Sequence, residues 1–364
     1  MVKVINPERN RRVFCAMSGG VDSSVSAALL KRAGFEVVGV YMRQWSPAIL
    51  GKACIWKEDR QDAMRVCAKL GISFKTWDFS KEYEKKVGKY MIDSYKKGIT
   101  PNPDVMCNKI IKFGLFFDRA IKEGADFVAT GHYARIKREI PRPRGYPESQ
   151  IPNFKLLKAK DKNKDQTYFL YTLSKKQLSK IIFPVGDLIK PEVRKLAKKF
   201  KLENAQKKDS QGVCFIGQFN MKEFLKIYIK PKIGKILSLE GKEIGEHEGV
   251  YYYTIGQRHG LDIKNGHGPY YVVKKDIKKN IVYVGKEKDL QAKYVKVANI
   301  NWIQKPEKFP AILDARTRYR APLKKAKLNK NGEIKFEKSD RAITPGQSAV
   351  FYKGRELIGG GVIR

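Results

Sequence analysis

Seven residues, Ser18-Gly19-Gly20-Val21-Asp22-Ser23-Ser24, follow an apolar run, Val13 to Met17, and precede Val25, Ala28, Leu29 and Arg32 at helical spacing. Glycines at a strand-to-helix junction let the backbone turn with positive φ and come close to a ligand. The loop amides, at the positive end of the following helix, then form a nest for an anion. Ser18, Ser23 and Ser24 add hydroxyl donors. The lysine of the G-x-x-x-x-G-K-[ST] phosphate loop is missing, which argues against an NTPase that transfers a γ-phosphate. The plain alternative is a tight turn that uses glycine for geometry alone; the full heptapeptide in this setting favours phosphate.

Five cysteines are the second source of chemistry: Cys15, Cys54, Cys67, Cys107 and Cys214. An odd, sparse set without C-x-x-C argues against a disulfide scaffold or a structural zinc and for a reducing compartment. Cys15 lies in an apolar strand and Cys67 on an apolar helical stripe with Ala63, Val66 and Leu70, so both read as packed core thiols. Cys54 sits in an irregular stretch and suggests no role. Cys107 stands in Thr100-Pro101-Asn102-Pro103-Asp104-Val105-Met106-Cys107-Asn108-Lys109. Asp104 is a good N-cap; it would put Cys107 at the third helical position, where the helix dipole and Lys109 favour the thiolate. Cys214 follows Lys207-Lys208-Asp209-Ser210-Gln211-Gly212-Val213, an electropositive, glycine-flanked stretch suited to a thiol that must move between partners. Local chemistry leaves either thiol open to being incidental.

The elements that must hold these residues are legible in outline. Val37 to Met42 and Phe127 to Thr130 are further apolar runs, with helical spacing between them, from Asp59 to Leu70. Alternating strands and helices predict a mostly parallel, doubly wound α/β sheet, with ligands beyond the carboxyl ends of its strands. Pro141 to Pro152 reads as a surface insertion. Helical spacing returns at Val193, Leu196, Ala197 and Phe200. After about Gly217, short Tyr-, Val- and Ile-rich strands, as in Gly249–Tyr253 and Tyr270–Val273, predict small β-rich modules and plausible barrels. The 364 residues predict two or three domains, and 75 Lys+Arg against 37 Asp+Glu give a net charge of +38. That charge favours a polyanionic partner, nucleic acid before an anionic membrane surface, although lysine-rich usage over a solvated surface would give the same count. No apolar run nears the roughly 18 residues of a membrane span. The opening is polar and basic without a secretory leader, which with the sparse cysteines predicts a cytoplasmic setting; a monomer is expected.

The motifs AMSGGVDSSV, TPNPDVMCNKIIKFG, ATGHYAR, KDQTYFLYTLS, FPVG, KKDSQGVCFIG, TIGQRHGL, RTRYRAPL and TPGQSAVFY follow one another from about Arg12 to Arg364. In this order they resemble the tRNA-specific 2-thiouridylases, PP-loop ATPases of the adenine nucleotide alpha hydrolase-like fold. The resemblance implies a PP-loop domain (1–218), a small central domain (219–285) and a C-terminal β-barrel (286–364). It implies sulfur transfer to C2 of the wobble uridine of tRNA through an adenylated uridine and a cysteine persulfide. Ala16, Met17, Ser18, Gly19, Gly20, Val21, Asp22 and Ser23 would bind ATP, with Asp22 near Mg²⁺ and Met42 and Gly131 near the adenosine. Asn102, Pro103 and Asp104 would meet the target base. Cys107 matches the nucleophile and Cys214 the persulfide carrier, with a disulfide between them after sulfur release; Asp104 could move protons. Lys164, Asp165, Gln166, Arg318 and Tyr319 fall on tRNA-contact motifs, with Arg320 a weaker match. A cysteine desulfurase or relay protein would supply the sulfur.

Two other classes fit parts of the chain. A PP-loop enzyme that adenylates a small metabolite would leave Cys214 and the basic, β-rich second half unexplained. A non-catalytic RNA-binding protein would have no use for the intact loop. An iron–sulfur cluster on Asp104, Cys107 and Cys214 is the alternative to the persulfide.

Overall fold

The computed structural model describes residues 11–45, 55–139, 153–208, 220–263 and 266–364. Cys54, Cys214 and the stretch Pro141–Pro152 lie outside them. The chain divides into two compact units. One takes Met1–Val87, Asp104–Gln218 and Gly354–Ile358; the other takes Gly88–Pro103, Phe219–Lys353 and Gly359–Arg364.

In the first unit, strands β1 (Arg12–Met17), β2 (Glu36–Arg43), β3 (Ser73–Asp78), β4 (Phe127–Ala129) and β7 (Ile181–Ile182) form one sheet in the order β3-β2-β1-β4-β7. Every pairing is parallel, with Val13 opposite both Val37 and Phe127. The expected α/β sheet is thus present, and the register puts the carboxyl ends of β1, β2 and β4 on one edge. Helices α1 (Val21–Arg32) and α2 (Ile55–Leu70) cover it. Gly34 (φ +89°) ends α1: Phe35 N reaches back to Leu30 O at 3.2 Å and Gly34 N to Lys31 O at 3.1 Å, the pattern of a left-handed glycine cap. Cys15 and Cys67 are fully buried in the core with Val13, Met17, Val25 and Leu30. Burial pushes the Cys67 thiol up to about 12 and that of Cys15 higher still, so both are inert packing groups. Gly39 stands in β2 because a Cβ there would lie 2.4 Å from Cys67 Sγ. An antiparallel hairpin, β5 (Ala134–Glu139) and β6 (Asn153–Lys158), pairs through Leu157 and Leu156 with Glu356 and Leu357.

In the second unit, β8 (Gly234–Ser238), β9 (Glu243–His247), β10 (Tyr271–Asp276) and β11 (Ile281–Gly285) form a four-stranded sheet in the order β10-β11-β8-β9. Strands β12 (Gln291–Trp302), β13 (Ala311–Arg316), β14 (Lys324–Leu328), β15 (Glu333–Arg341), β16 (Ser348–Lys353) and β17 (Glu356–Ile363) run in the order β12-β15-β14-β13-β16-β17. Pairing of β17 with β12, Val297 opposite Ile363, closes them into the expected barrel. Gly249–Tyr253 is not a strand. Val250–Tyr252 forms a 3-10 turn, because Asn280 Oδ1 accepts from Val250 N and Tyr252 donates its hydroxyl to Ile229 O. Side-chain anchors there override the β propensity of three tyrosines. Among the described residues, no helix is long and apolar enough to cross a membrane.

Candidate active site

The anion loop lies where the sequence puts it, between β1 and α1. Gly19 takes φ +75°, and a Cβ on it would fall 2.3 Å from Asp59 O, so only glycine fits. Gly20 is the N-cap residue of α1 but supplies no side-chain cap. The helix dipole therefore faces the loop mouth, where Ser18 is exposed and Gly20 and Asp22 are half-buried. The serines brace the loop more than they offer free donors. Ser23 Oγ donates to Gly20 O at 3.0 Å and accepts from Ser18 N at 3.2 Å; Ser24 Oγ donates to Gly20 O at 2.9 Å. Ala16 and Met17 are buried at the end of β1, and Met42 sits near the end of β2, opposite Trp77. Gly131 closes the cradle from β4: a Cβ there would lie 2.7 Å from Ser23 N, against the first turn of α1. This narrow, dipole-facing cradle fits a phosphate chain.

Asp22 is the acidic residue of that first turn, and its Oδ1 accepts from Tyr133 OH at 2.8 Å and from Lys190 Nζ at 2.7 Å. Lys190 opens the helix Lys190–Lys199. Asn204 Nδ2 donates to Gly19 O and to Ser24 Oγ, each at 2.9 Å. Lys207 Nζ lies 2.6 Å from Asp59 and 2.5 Å from Asp62 on α2. Burial alone would lower the Lys207 ammonium; its bonds to the two carboxylates outweigh that and raise it. Sequence reading missed Tyr133, Lys190, Asn204 and Lys207. Tyr133 lies in ATGHYAR, Lys190 and Asn204 between FPVG and KKDSQGVCFIG, and Lys207 opens the latter, but only the fold brings them to the loop.

Next to Gly131, His132 is buried between Phe113 and Phe183, with Nδ1 2.7 Å from Thr130 Oγ1. Burial, and secondarily Lys112, hold it well below the ordinary histidine range, so it is neutral.

Cys107 is in no disulfide among the described residues and is fully buried. The expected N-cap is corrected: the helix starts at Pro103, suited to a first position, so Asp104 is second and Cys107 fifth. From Cys107 to Phe116 the helix is π-helical, with Gly114 against Lys109 O, where a Cβ would sit at 3.0 Å. Such insertions re-aim side chains and recur at functional sites. Asn108 Nδ2 donates to Asp104 O at 3.0 Å. In the second unit, Asn102 is buried and the preceding carbonyls of Thr100 and Pro101 accept from Gln347 Nε2 at 3.1 and 2.8 Å. Gln347 is a further residue without an expected role, although TPGQSAVFY contains it. Cys214 lies outside the described residues, so its distance to Cys107 is not part of this geometry.

The KDQ stretch is an ordered turn. Asp165 is buried, accepting from Ala159 N at 3.2 Å and from Thr167 Oγ1 at 2.9 Å. Gln166 Oε1 accepts from Tyr133 N, and Gln166 N donates to Tyr133 O, both at 2.9 Å. Lys164 is half-buried on the same turn. In the barrel, Arg318 and Tyr319 follow β13, with Arg318 donating to Arg341 O at 3.1 Å and Arg320 lying 5.2 Å over the Tyr319 ring. Among the described residues, no group of three His, Cys, Asp or Glu is placed to hold a metal.

Three family models match: a tRNA methyl transferase HUP domain over residues 11–218, its PRC-barrel domain over 222–286 and an aminomethyltransferase beta-barrel domain over 292–363. Curated relatives match almost end to end. A tRNA-specific 2-thiouridylase of Streptococcus sanguinis is 46% identical, covering 97% of this chain and 95% of the relative. One from Geobacillus thermodenitrificans is 45% identical, covering 97% and 94%, and one from Bacillus velezensis 44%, covering 97% and 94%. Among solved structures, NMN synthetase from Francisella tularensis aligns at a TM-score of 0.34 and 15% identity over 60% of this chain and 72% of that one, too slight a likeness to weigh.

Proposed function

The chain belongs to the tRNA-specific 2-thiouridylase family, and on that premise we propose how its residues carry out ATP-dependent thiolation of C2 in the wobble uridine of tRNA. The single observation that carries the reading is the cradle of Gly19, Gly20 and Gly131 at the dipole end of α1, in one chain with the thiol of Cys107 on its π-helical turn. The domain division is 1–218, 219–285 and 286–364, supported by the three matched stretches. Some matched models are named for methyl transfer, but two thiols and an anion cradle suit thiolation, which the near full-length relatives are named for.

A uracil C2 carbonyl resists substitution because its oxygen leaves poorly. ATP supplies an AMP leaving group on that oxygen. The loop Ser18–Ser23 holds the departing pyrophosphate, chiefly through the amides that open α1, with Lys190 as a nearby cation; Met42 and Gly131 flank the adenosine. Asp22, half-exposed at the loop mouth, fits a Mg²⁺ beside the phosphates, which would add charge neutralisation. Asn102, Pro103 and Asp104 receive the wobble base, flipped from the anticodon stack.

Cys214 carries a persulfide whose terminal sulfur attacks C2 and expels AMP. Cys107 then attacks Sγ of Cys214, breaking the S–S bond: 2-thiouridine leaves, and a Cys107–Cys214 disulfide remains for cellular thiols to reduce. In a variant of this order, Cys107 first releases hydrosulfide, which attacks C2. Asp104, three residues before Cys107 in the chain, takes its proton. The buried thiol must become accessible for either order. Lys164, Asp165, Gln166, Arg318 and Tyr319 contact the tRNA. A cysteine desulfurase or sulfur-relay protein loads Cys214, in the cytoplasm, with the enzyme acting as a monomer.

Nucleoside mass spectrometry of tRNA incubated with ATP, a sulfur donor and the Cys107→Ser or Cys214→Ser protein tests this. Each variant loses 2-thiouridine while ATP affinity stays within about twofold, a small free-energy change. Undiminished product from either variant contradicts the assigned roles. Acid-dependent AMP release without tRNA would favour the metabolite-adenylating alternative.

A further inference from the structure

Two hydrogen-bonded routes leave the turn that bears Lys164, Asp165 and Gln166, and both end on one atom, Asp22 Oδ1. On the first, Gln166 grips the Tyr133 backbone at both its N and its O, each at 2.9 Å. The Tyr133 hydroxyl then donates to Asp22 Oδ1 at 2.8 Å. On the second, Asp161 Oδ1 accepts from Asn163 N at 2.9 Å and Lys164 N at 3.2 Å. Its Oδ2 accepts from Lys190 N at 2.9 Å, and Lys190 Nζ closes the circuit on Asp22 Oδ1 at 2.7 Å.

The members are not surface decorations. Tyr133 is 1% exposed and Asp161 8%, and Asp165, in the turn between Lys164 and Gln166, is 4% exposed. Buried polar chains of this kind move together, because stretching one bond leaves a desolvated group unpaired. The turn is therefore stiff, and a displacement at its outer face reaches the carboxylate in the first turn of α1. Two independent routes to one oxygen fix its direction as well as its distance.

We propose that Tyr133, Asp161 and Lys190 are positioning residues that couple tRNA docking on the Lys164–Gln166 turn to nucleotide binding at the phosphate loop. The inference rests on the reading of that turn as a tRNA contact. It assigns the circuit a role no single residue in it has: nucleotide and tRNA each bind tighter when the other is present. Coupling of this kind is reciprocal, so one ratio describes both ligands. A purely structural brace would lower stability when cut but leave that ratio unchanged.

The test measures the affinity of unmodified tRNA for the full chain with and without a saturating ATP analogue whose α,β-bridge is carbon. In the native protein the ratio of the two affinities should be about fivefold or more. In Tyr133→Phe, which removes the hydroxyl that donates to Asp22, and in Asp161→Asn, which replaces one of the two acceptor oxygens by an amide nitrogen and so cuts the second route either at Lys190 N or at the turn, it should fall below about twofold. Circular dichroism verifies folding, and either variant suffices if the other does not fold. Lys164→Ala separates the two levels. Unchanged tRNA affinity in Lys164→Ala removes the tRNA-contact reading and the inference with it. Reduced affinity there, together with a native-sized ratio in both circuit variants or a native ratio near one, overturns the inference alone.

Discussion

Asp22 and His132 show how burial assigns a residue its work. Asp22 gathers a phenol and an ammonium on one oxygen, so its negative charge is aimed before any nucleotide arrives. His132 is the opposite case, an imidazole among aromatic rings beside Gly131 that the fold keeps neutral. The sign of its effect on stability follows from that. The unfolded chain takes up a proton as pH falls through about 6.5, the ordinary histidine value, while the native protein does not. Stability is therefore full above pH 6.5 and declines below it. Thermal melts should show Tm falling from pH 7.5 to pH 5.5, and His132→Gln should flatten that fall by a few degrees. An identical pH dependence in the variant would deny His132 this part. Asp22 was legible in the Ser18–Ser24 loop, and Gly131 only through the family resemblance that ATGHYAR helps to carry. Tyr133, Lys190 and Asn204 were hidden because what matters in them is a partner over a hundred residues away, and no local pattern encodes that.

At the scale of elements, two glycines next to helix α1 separate stability from function. Gly34 ends the helix with φ +89°, and nothing lies within 4 Å of a Cβ placed there. Gly34→Ala should cost about 1 kcal/mol of stability through the left-handed backbone and leave ATP binding alone. Gly131→Ala puts a Cβ 2.7 Å from Ser23 N, so the first turn of α1 must shift. Calorimetric titration should find ATP affinity reduced by about tenfold or more, a change of about 1.4 kcal/mol. Equal losses of affinity in the two variants would contradict this division. The parallel sheet and both flanking helices were legible because apolar runs and 3.6-residue stripes coincide with them. The π-helical stretch from Cys107 was not, because residue types carry no local mark that separates i→i+5 from i→i+4 bonding. The 3-10 turn at Val250–Tyr252 was misread as strand, since its cause is Asn280, thirty residues on.

At the scale of the molecule, charge and architecture agree on the substrate class. A net charge of +38 gives a tRNA-binding enzyme its long-range attraction. Affinity for tRNA should drop at least about tenfold between about 50 and 200 mM salt, read by filter binding; a flat titration would remove the electrostatic contribution. Composition showed the change from α/β to β-rich structure but not that Gly88–Pro103 counts with the second unit, as helix-forming residues in the middle of an α/β sequence carry no mark of such an exchange. The most direct test of the account is a single turnover of persulfide-loaded enzyme with ATP and unmodified tRNA, followed by mass spectrometry of nucleosides and peptides. Equal amounts of AMP and 2-thiouridine, with a Cys107–Cys214 disulfide formed in step, are the expected result. 2-Thiouridine formed at the native rate by Cys107→Ser enzyme loaded in the same way would contradict it.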